Sequence, residues 1–239
     1  MSELPLRVID LGRRRYGETL ELQRELCRQR VAGEITDDLL LLVEHNPVVT
    51  LGRGTRSSSL ILPPSELEAR GYQVFEVERG GDVTYHGPGQ LVGYPILDLN
   101  THRPDLHWYL RELEGALISA LGGLEIPAER RPGLTGVWTQ GRKIASIGIH
   151  VKQWVTFHGF ALNVVNDLAS FGLIVPCGIE NVEMTSVIKE RGSVESPRAV
   201  WQATRTEVIQ AIGRHFNRTP EETTDIPSTR STPSVPSLS

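Results

Sequence analysis

Apolar positions along the chain recur with two periods, and the switches between them mark out the elements. Over Tyr16 to Val31, Leu20, Leu22, Leu26 and Cys27 fall on one helical stripe; over Leu106 to Leu121, Leu106, Leu110, Leu113, Leu117 and Leu121 do the same before Gly122-Gly123. Ser196-Pro197 opens a third helix reaching about Phe216, with Pro197 at its first position, and Glu66 to Arg70 forms a short one capped by Ser65 and ended by Gly71. Strands are predicted at Val8 to Leu11, Leu39 to Val43, Val48 to Leu51, Tyr72 to Glu78, Leu91 to Leu99, Arg142 to Val151 and Val155 to Val164. The helices are expected to cover the sheet.

Two stretches break the pattern. Arg79 to Gln90, Arg-Gly-Gly-Asp-Val-Thr-Tyr-His-Gly-Pro-Gly-Gln, sets four glycines and a proline around Tyr85 and His86 between two strands, the composition of a binding loop. After Asn217 the chain turns to Thr, Pro, Ser and acidic residues with little to bury, so a disordered tail is predicted over 218–239 behind one domain over 1–217. No internal repeat is present.

Composition narrows the function classes. The 239 residues are 39% hydrophobic and 23% charged, as in a globular protein, and the net charge of -4 argues against a dedicated nucleic-acid binder. The first residues lack a basic and then apolar leader, and no stretch approaches the roughly 18 apolar residues of a membrane span, so a soluble cytoplasmic protein is expected. Cys27 and Cys177 are too few for a disulfide framework, and no Cys/His cluster has zinc-site spacing.

Cys27 lies in a helical apolar stripe and reads as a small buried hydrophobe. Cys177 lies between Pro176 and Gly178, in a predicted bend that can present a thiol rather than pack it. A nucleophilic thiol needs a partner to ionise. By strict alternation Lys143 shares a face with Ala145, Ile147 and Ile149, an unusual side for an ammonium, which could there exchange protons with a thiol; the alternative is a stem snorkelling to solvent. His86 and His158 are further base candidates or ordinary core histidines. Arg53 and Arg56 read as anion contacts or as solvated loop residues. The glycine-rich loop lacks the phosphate-loop Gly-x-x-x-x-Gly-Lys-Ser/Thr pattern.

Four segments together, Arg79 to Gln90, Gly136-Val-Trp with Arg142-Lys-Ile-Ala-Ser-Ile-Gly, Phe157-His-Gly-Phe-Ala-Leu-Asn-Val, and Pro176-Cys-Gly, resemble the lipoyl(octanoyl) transferase family in order and spacing. The resemblance implies the α+β fold of lipoate and biotin protein ligases, mixed β-sheets flanked by helices in a single domain. It implies transfer of an octanoyl group from acyl carrier protein to a lipoyl-domain lysine through a thioester on Cys177, with Lys143 lowering the thiol pKa and shuttling protons. Arg79, Gly80, Gly81, Asp82, Val83, Thr84, Tyr85 and His86 would line the acyl pocket. Ser146, Ile147, Gly148, Gly159, Phe160 and Ala161 would complete it.

No metal, nucleotide or other cofactor is implied. The implied partners are octanoyl-acyl carrier protein and the lipoyl domains of 2-oxoacid dehydrogenase complexes and glycine cleavage H protein, with no nucleic acid and no membrane. Such partners are acidic, and between Glu129 and Phe160 five basic residues, Arg130, Arg131, Arg142, Lys143 and Lys152, stand against Glu129, suggesting a docking face. An ATP-dependent lipoate or biotin ligase and a non-catalytic carrier-binding module are the rival readings. Neither accounts for both Cys177 and Lys143.

Overall fold

The computed structural model describes residues 4–175, 182–192 and 196–227. The strands that matter first are β1 (Leu4–Arg14), β2 (Asp38–His45), β6 (Gln90–Ile96), β8 (Leu134–Thr139), β9 (Arg142–Lys152) and β10 (Val155–Asn163). With β7 (Glu129–Arg131) and β11 (Arg218–Thr223) they form one sheet ordered β11-β1-β2-β6-β10-β9-β8-β7. It is mixed: β1 runs parallel to β2 and β11, while the pairs β2-β6, β6-β10, β10-β9, β9-β8 and β8-β7 are antiparallel. A second sheet, ordered β4-β3-β5, holds β3 (Val48–Leu51), β4 (Gln73–Glu76) and β5 (Val83–His86).

The unbroken apolar run of β2 is explained by burial on both faces. Leu40 and Leu42 enter a core built with α3 (Leu106–Gly123) and α5 (Pro197–Phe216), whereas Leu39, Leu41 and Val43 enter the core under α1 (Tyr16–Val31). Two short helices, α2 (Pro64–Ala69) and α4 (Val187–Arg191), complete the α+β architecture expected from the sequence. Among the described residues no helix is long and apolar enough to cross a membrane.

The structure corrects several expectations. Arg79 to Gln90 is not all loop: Val83–His86 pairs antiparallel with β3 as β5, its period-two pattern hidden among glycines. The first six residues of the expected tail form β11, whose backbone completes the edge beyond β1. Composition missed it because it counts apolar side chains, while this strand is held by ladder hydrogen bonds and by buried Arg218, whose Nε donates to Asp38 Oδ2 at 2.8 Å. Residues 228–239 lie outside the described residues.

Ser65 is inside α2, which begins at Pro64 with Pro63 as its cap position. Gly122 and Gly123 form the last turn of α3 rather than its stop. The third helix runs as expected, with Ser196 Oγ accepting from Ala199 N at 3.3 Å.

Candidate active site

On the α1 face, between the two sheets, lies a largely apolar cavity of about 210 Å³. Its walls come from successive strands of the large sheet: Thr135 on β8, Ser146, Ile147 and Gly148 on β9, Gly159, Phe160 and Ala161 on β10, Val92 and Tyr94 on β6. Three interstrand steps of about 4.8 Å make a slot roughly 14 Å long. Its roof is the small sheet and the turn before it, contributing Arg79, Gly81, Asp82, Val83, Thr84 and His86.

Of the residues expected to line an acyl pocket, Arg79, Gly81, Asp82, Val83, Thr84, His86, Ser146, Ile147, Gly148, Gly159, Phe160 and Ala161 come together around this cavity. Gly80 is held to the edge of β9, its N-H donating to Ile149 O at 2.9 Å, and does not line the slot. Tyr85 departs from the expectation. In β5 it alternates away from Thr84 and His86 and packs with Leu67 and Phe171, edge to face on Phe171 at 5.5 Å, in a separate core. Tyr16, Val92, Tyr94 and Gly133 to Thr135 line the cavity without having been anticipated. Tyr94 could have been found, since it follows Val92 at strand period two.

Arg79 is buried and serves as a wedge. Its Nη2 donates to Thr50 O at 2.8 Å and Thr50 Oγ1 at 2.9 Å, binding the roof to β3. The stem lies so close to β9 that a Cβ on Gly148 would meet Arg79 Cδ at 2.9 Å, which explains glycine there. Asp82 accepts from Ser59 Oγ at 2.7 Å and from Val83 N at 2.7 Å. This fixes the opposite rim.

The α1 end of the slot gathers buried histidines and tyrosines beside the Arg79 guanidinium. His45 Nε2 lies 2.8 Å from Tyr94 Oη, and His86 Nδ1 donates to Gln90 Oε1 at 2.9 Å. Burial pushes His45 down to about 4 and His86 down to about 3, and pushes Tyr16 up to about 12. His158 occupies left-handed backbone, φ 57, because its N-H leaves the ladder to donate to Gln23 Oε1 of α1 at 2.9 Å. Its Nε2 lies 3.7 Å from Glu78, and burial still holds it below the ordinary histidine value.

Lys143 is 1% exposed and lies behind Thr135 at the other end, not itself among the lining residues. Its Nζ donates to the carbonyl of Thr135, a cavity wall, at 3.1 Å and lies 5.5 Å from the Trp138 ring centre. The face expected from strict alternation does not hold. The β8-β9 register slips between Val137/Ala145 and Trp138/Lys143, and Ile144 and Ala145 enter the same core, so alternation is not carried across the bulge. The bulge redirects the ammonium.

Cys177 lies outside the described residues, and so does the bend expected at Pro176 to Gly178. The chain on both sides is anchored. Val175 N donates to Ser59 O at 2.9 Å; Lys143 N donates to Glu183 O at 2.8 Å, and Thr185 N to Lys143 O at 2.9 Å. Cys27 is buried under α1, and burial pushes its thiol up to about 11, as befits a packing residue.

The basic stretch offers less surface charge than its sequence suggests. Arg130 Nε donates to buried Glu114 at 3.1 Å, Arg142 pairs with Glu190 at 2.9 Å, and Lys143 is internal. Arg131 stacks on Trp138, 4.6 Å from the ring centre.

A mixed sheet with an apolar slot across four strands and a buried lysine at one end defines an α+β catalytic domain that handles an elongated apolar group. The chain belongs to the lipoyl protein ligase A/B catalytic domain family, whose model matches residues 15–217. It is 48% identical over 216 residues to an octanoyltransferase of Synechococcus elongatus, covering 90% of this chain and 89% of that one. An octanoyltransferase of Gloeobacter violaceus is 52% identical over 172 residues, 72% of this chain and 75% of its own.

Among solved structures, lipoate-protein ligase A bound with ATP superposes with a TM-score of 0.69 at 15% identity, covering 94% of this chain and 90% of that one. A bi-partite lipoate protein ligase from Thermoplasma acidophilum gives 0.65 at 14% identity, over 94% and 89%. At such identity these structures establish the fold alone.

Proposed function

We propose that this chain is an octanoyltransferase that moves an octanoyl group from a carrier-protein thioester to a lysine of a lipoyl domain. The observation that carries this is Lys143, buried behind the slot residue Thr135, to whose carbonyl it donates, and paired through its backbone with Glu183 and Thr185. That segment follows Cys177 by only a few residues. On its other side Cys177 is two residues from Val175, which is bonded to Ser59, itself tied to the cavity residue Asp82. The relatives' shared octanoyltransferase activity supports the same reading.

In the first step Cys177 attacks the thioester carbonyl as the thiolate, its proton held by Lys143 as the ammonium. The new C-S bond replaces the carrier's, and the departing carrier thiolate receives the proton from Lys143. One thioester is exchanged for another, so positioning rather than driving force is what the enzyme supplies. In the second step the neutral amine of the lipoyl-domain lysine attacks the acyl-Cys177 carbonyl. A C-N bond forms, the amine's surplus proton passes to Lys143, and Cys177 leaves as thiolate and is reprotonated by Lys143.

The fold is shared with a ligase crystallised with ATP, so the test separates the two donors. Purified protein is given a lipoyl domain with either octanoyl-carrier protein or free octanoate plus ATP and magnesium. Modification of the domain by the carrier thioester alone is expected. Modification only with octanoate and ATP would replace transfer by ligation.

A further inference from the structure

Glu114 has no place in the proton transfers above, yet it is a carboxylate buried to 1% exposure on the sheet-facing side of α3. Oε2 takes Arg130 Nε at 3.1 Å and Arg111 Nη1 at 2.5 Å. Oε1 reaches past both arginines into β8, where it accepts from Gly136 N at 3.2 Å. That N-H belongs to the peptide group whose carbonyl, Thr135 O, accepts from Lys143 Nζ at 3.1 Å.

The described residues contain no cis peptide, so the N-H and the C=O of this group point in opposite directions. One amide plane is thus gripped by a carboxylate on its donor edge and by the ammonium on its acceptor edge. A charge-assisted bond to the N-H fixes the plane and strengthens the carbonyl as an acceptor.

The site is built around this peptide. Gly136 has φ 128, and a Cβ there would lie 2.8 Å from Lys143 Cε and 2.6 Å from Ala145 O, so glycine lets the lysine stem run against the backbone. Trp138 closes the other side, with Arg131 4.6 Å and Lys143 5.5 Å from its ring centre. Arg111 and Arg130, both partly exposed, neutralise the carboxylate from outside. They leave Oε1 to the backbone.

We propose that Glu114 is a positioning residue for the transfer reaction: it orients the Thr135-Gly136 peptide so that its carbonyl holds Lys143 at the end of the slot. This rests on Lys143 carrying the protons, as proposed above. A purely structural Glu114, needed only to seat Arg111 and Arg130, would lower the folded fraction without altering the chemistry of the folded molecules.

The test compares Glu114→Ala, Glu114→Gln, Arg130→Met and Lys143→Ala in the full chain, using octanoyl transfer to a lipoyl domain normalised to folded protein. Glu114→Ala is expected to lower kcat about 10- to 100-fold, the cost of a misplaced catalytic group. KM for the carrier should be unchanged, and the kcat-pH profile displaced. Glu114→Gln, whose amide oxygen can still accept from Gly136 N, should recover most of the rate. Arg130→Met should keep the wild-type profile. If Glu114→Ala does not fold, Glu114→Met, of similar length and without an oxygen acceptor, takes its place.

Wild-type kcat and pH profile in the alanine or methionine variant would overturn the inference, as would an Arg130→Met enzyme with the same kcat loss and displaced pH profile as Glu114→Ala. If Lys143→Ala is inert while Glu114→Ala behaves as wild type, only the inference fails. If Lys143→Ala is itself fully active, the reading beneath it fails.

Discussion

The two ends of the slot bury polar side chains in opposite ways. At the α1 end His45 bonds Tyr94 and the Arg14 carbonyl, His86 bonds Gln90, Tyr16 packs its ring against both histidines, and burial moves the two histidines and Tyr16 toward their uncharged forms. At the β8 end formal charges gather instead: Glu114, Arg111 and Arg130 on one side of the Thr135-Gly136 peptide, Lys143 on the other, and Arg131 across Trp138. Apart from the Arg79 guanidinium, which is held by Thr50, the α1 end presents side chains that burial moves toward their neutral forms, and these suit a fatty chain. A charged end suits proton transfer. On the mechanism proposed above, binding and chemistry are separated along the length of one cavity.

The largest effect should come from breaking the β8 end. Lys143→Ala is expected to lower octanoyl transfer about 10²- to 10⁴-fold, the usual contribution of general acid-base catalysis, while carrier binding measured by titration persists. A loss below tenfold would mean that the charged end is not where the protons move.

At the α1 end the effect is on stability and depends on pH. Unfolded, His45 and His86 bind protons near 6.5; folded, they do so only at about 4 and about 3. Between those values the unfolded chain binds more protons, so acidification favours unfolding, by about 1.4 kcal/mol per pH unit for each histidine. Stability is retained above 6.5 and lost as pH falls toward 4. Denaturant titrations across that range check this, and a profile no flatter in His45→Gln than in wild type would contradict it.

A smaller effect tests the slot between the ends. Ala161→Leu should shift preference from octanoyl toward shorter donors, each excluded methylene being worth about 0.8 kcal/mol, or roughly fourfold. Competition between hexanoyl and octanoyl carriers reads it; an unchanged ratio would mean that the chain does not lie over β10.

Much of this was legible in the sequence. Lys143, His86 and the paired segments Ser146 to Gly148 and Gly159 to Ala161 stood out because they break periodicity or set glycine against it; the structure brings His86 and the two segments around one cavity and bonds Lys143 to the cavity residue Thr135. What stayed hidden depended on partners distant in the chain. Tyr85 looks identical to His86 until strand pairing assigns their faces, and the Lys143 face depended on a bulge that alternation alone does not reveal. β11 is made by ladder bonds to β1, with partners such as Leu4 and Arg218 lying 214 residues apart in the chain. Glu114 reads as the polar side of an amphipathic helix until the carboxylate is seen to reach Gly136.

The central claim, a thioester on Cys177 served by Lys143, is tested most directly by intact-mass measurement after mixing the protein with octanoyl-carrier protein in the absence of acceptor. The account predicts one octanoyl adduct, released by hydroxylamine, mapped to Cys177 and absent from Cys177→Ser. No adduct, or an equal adduct on the serine variant, would contradict it.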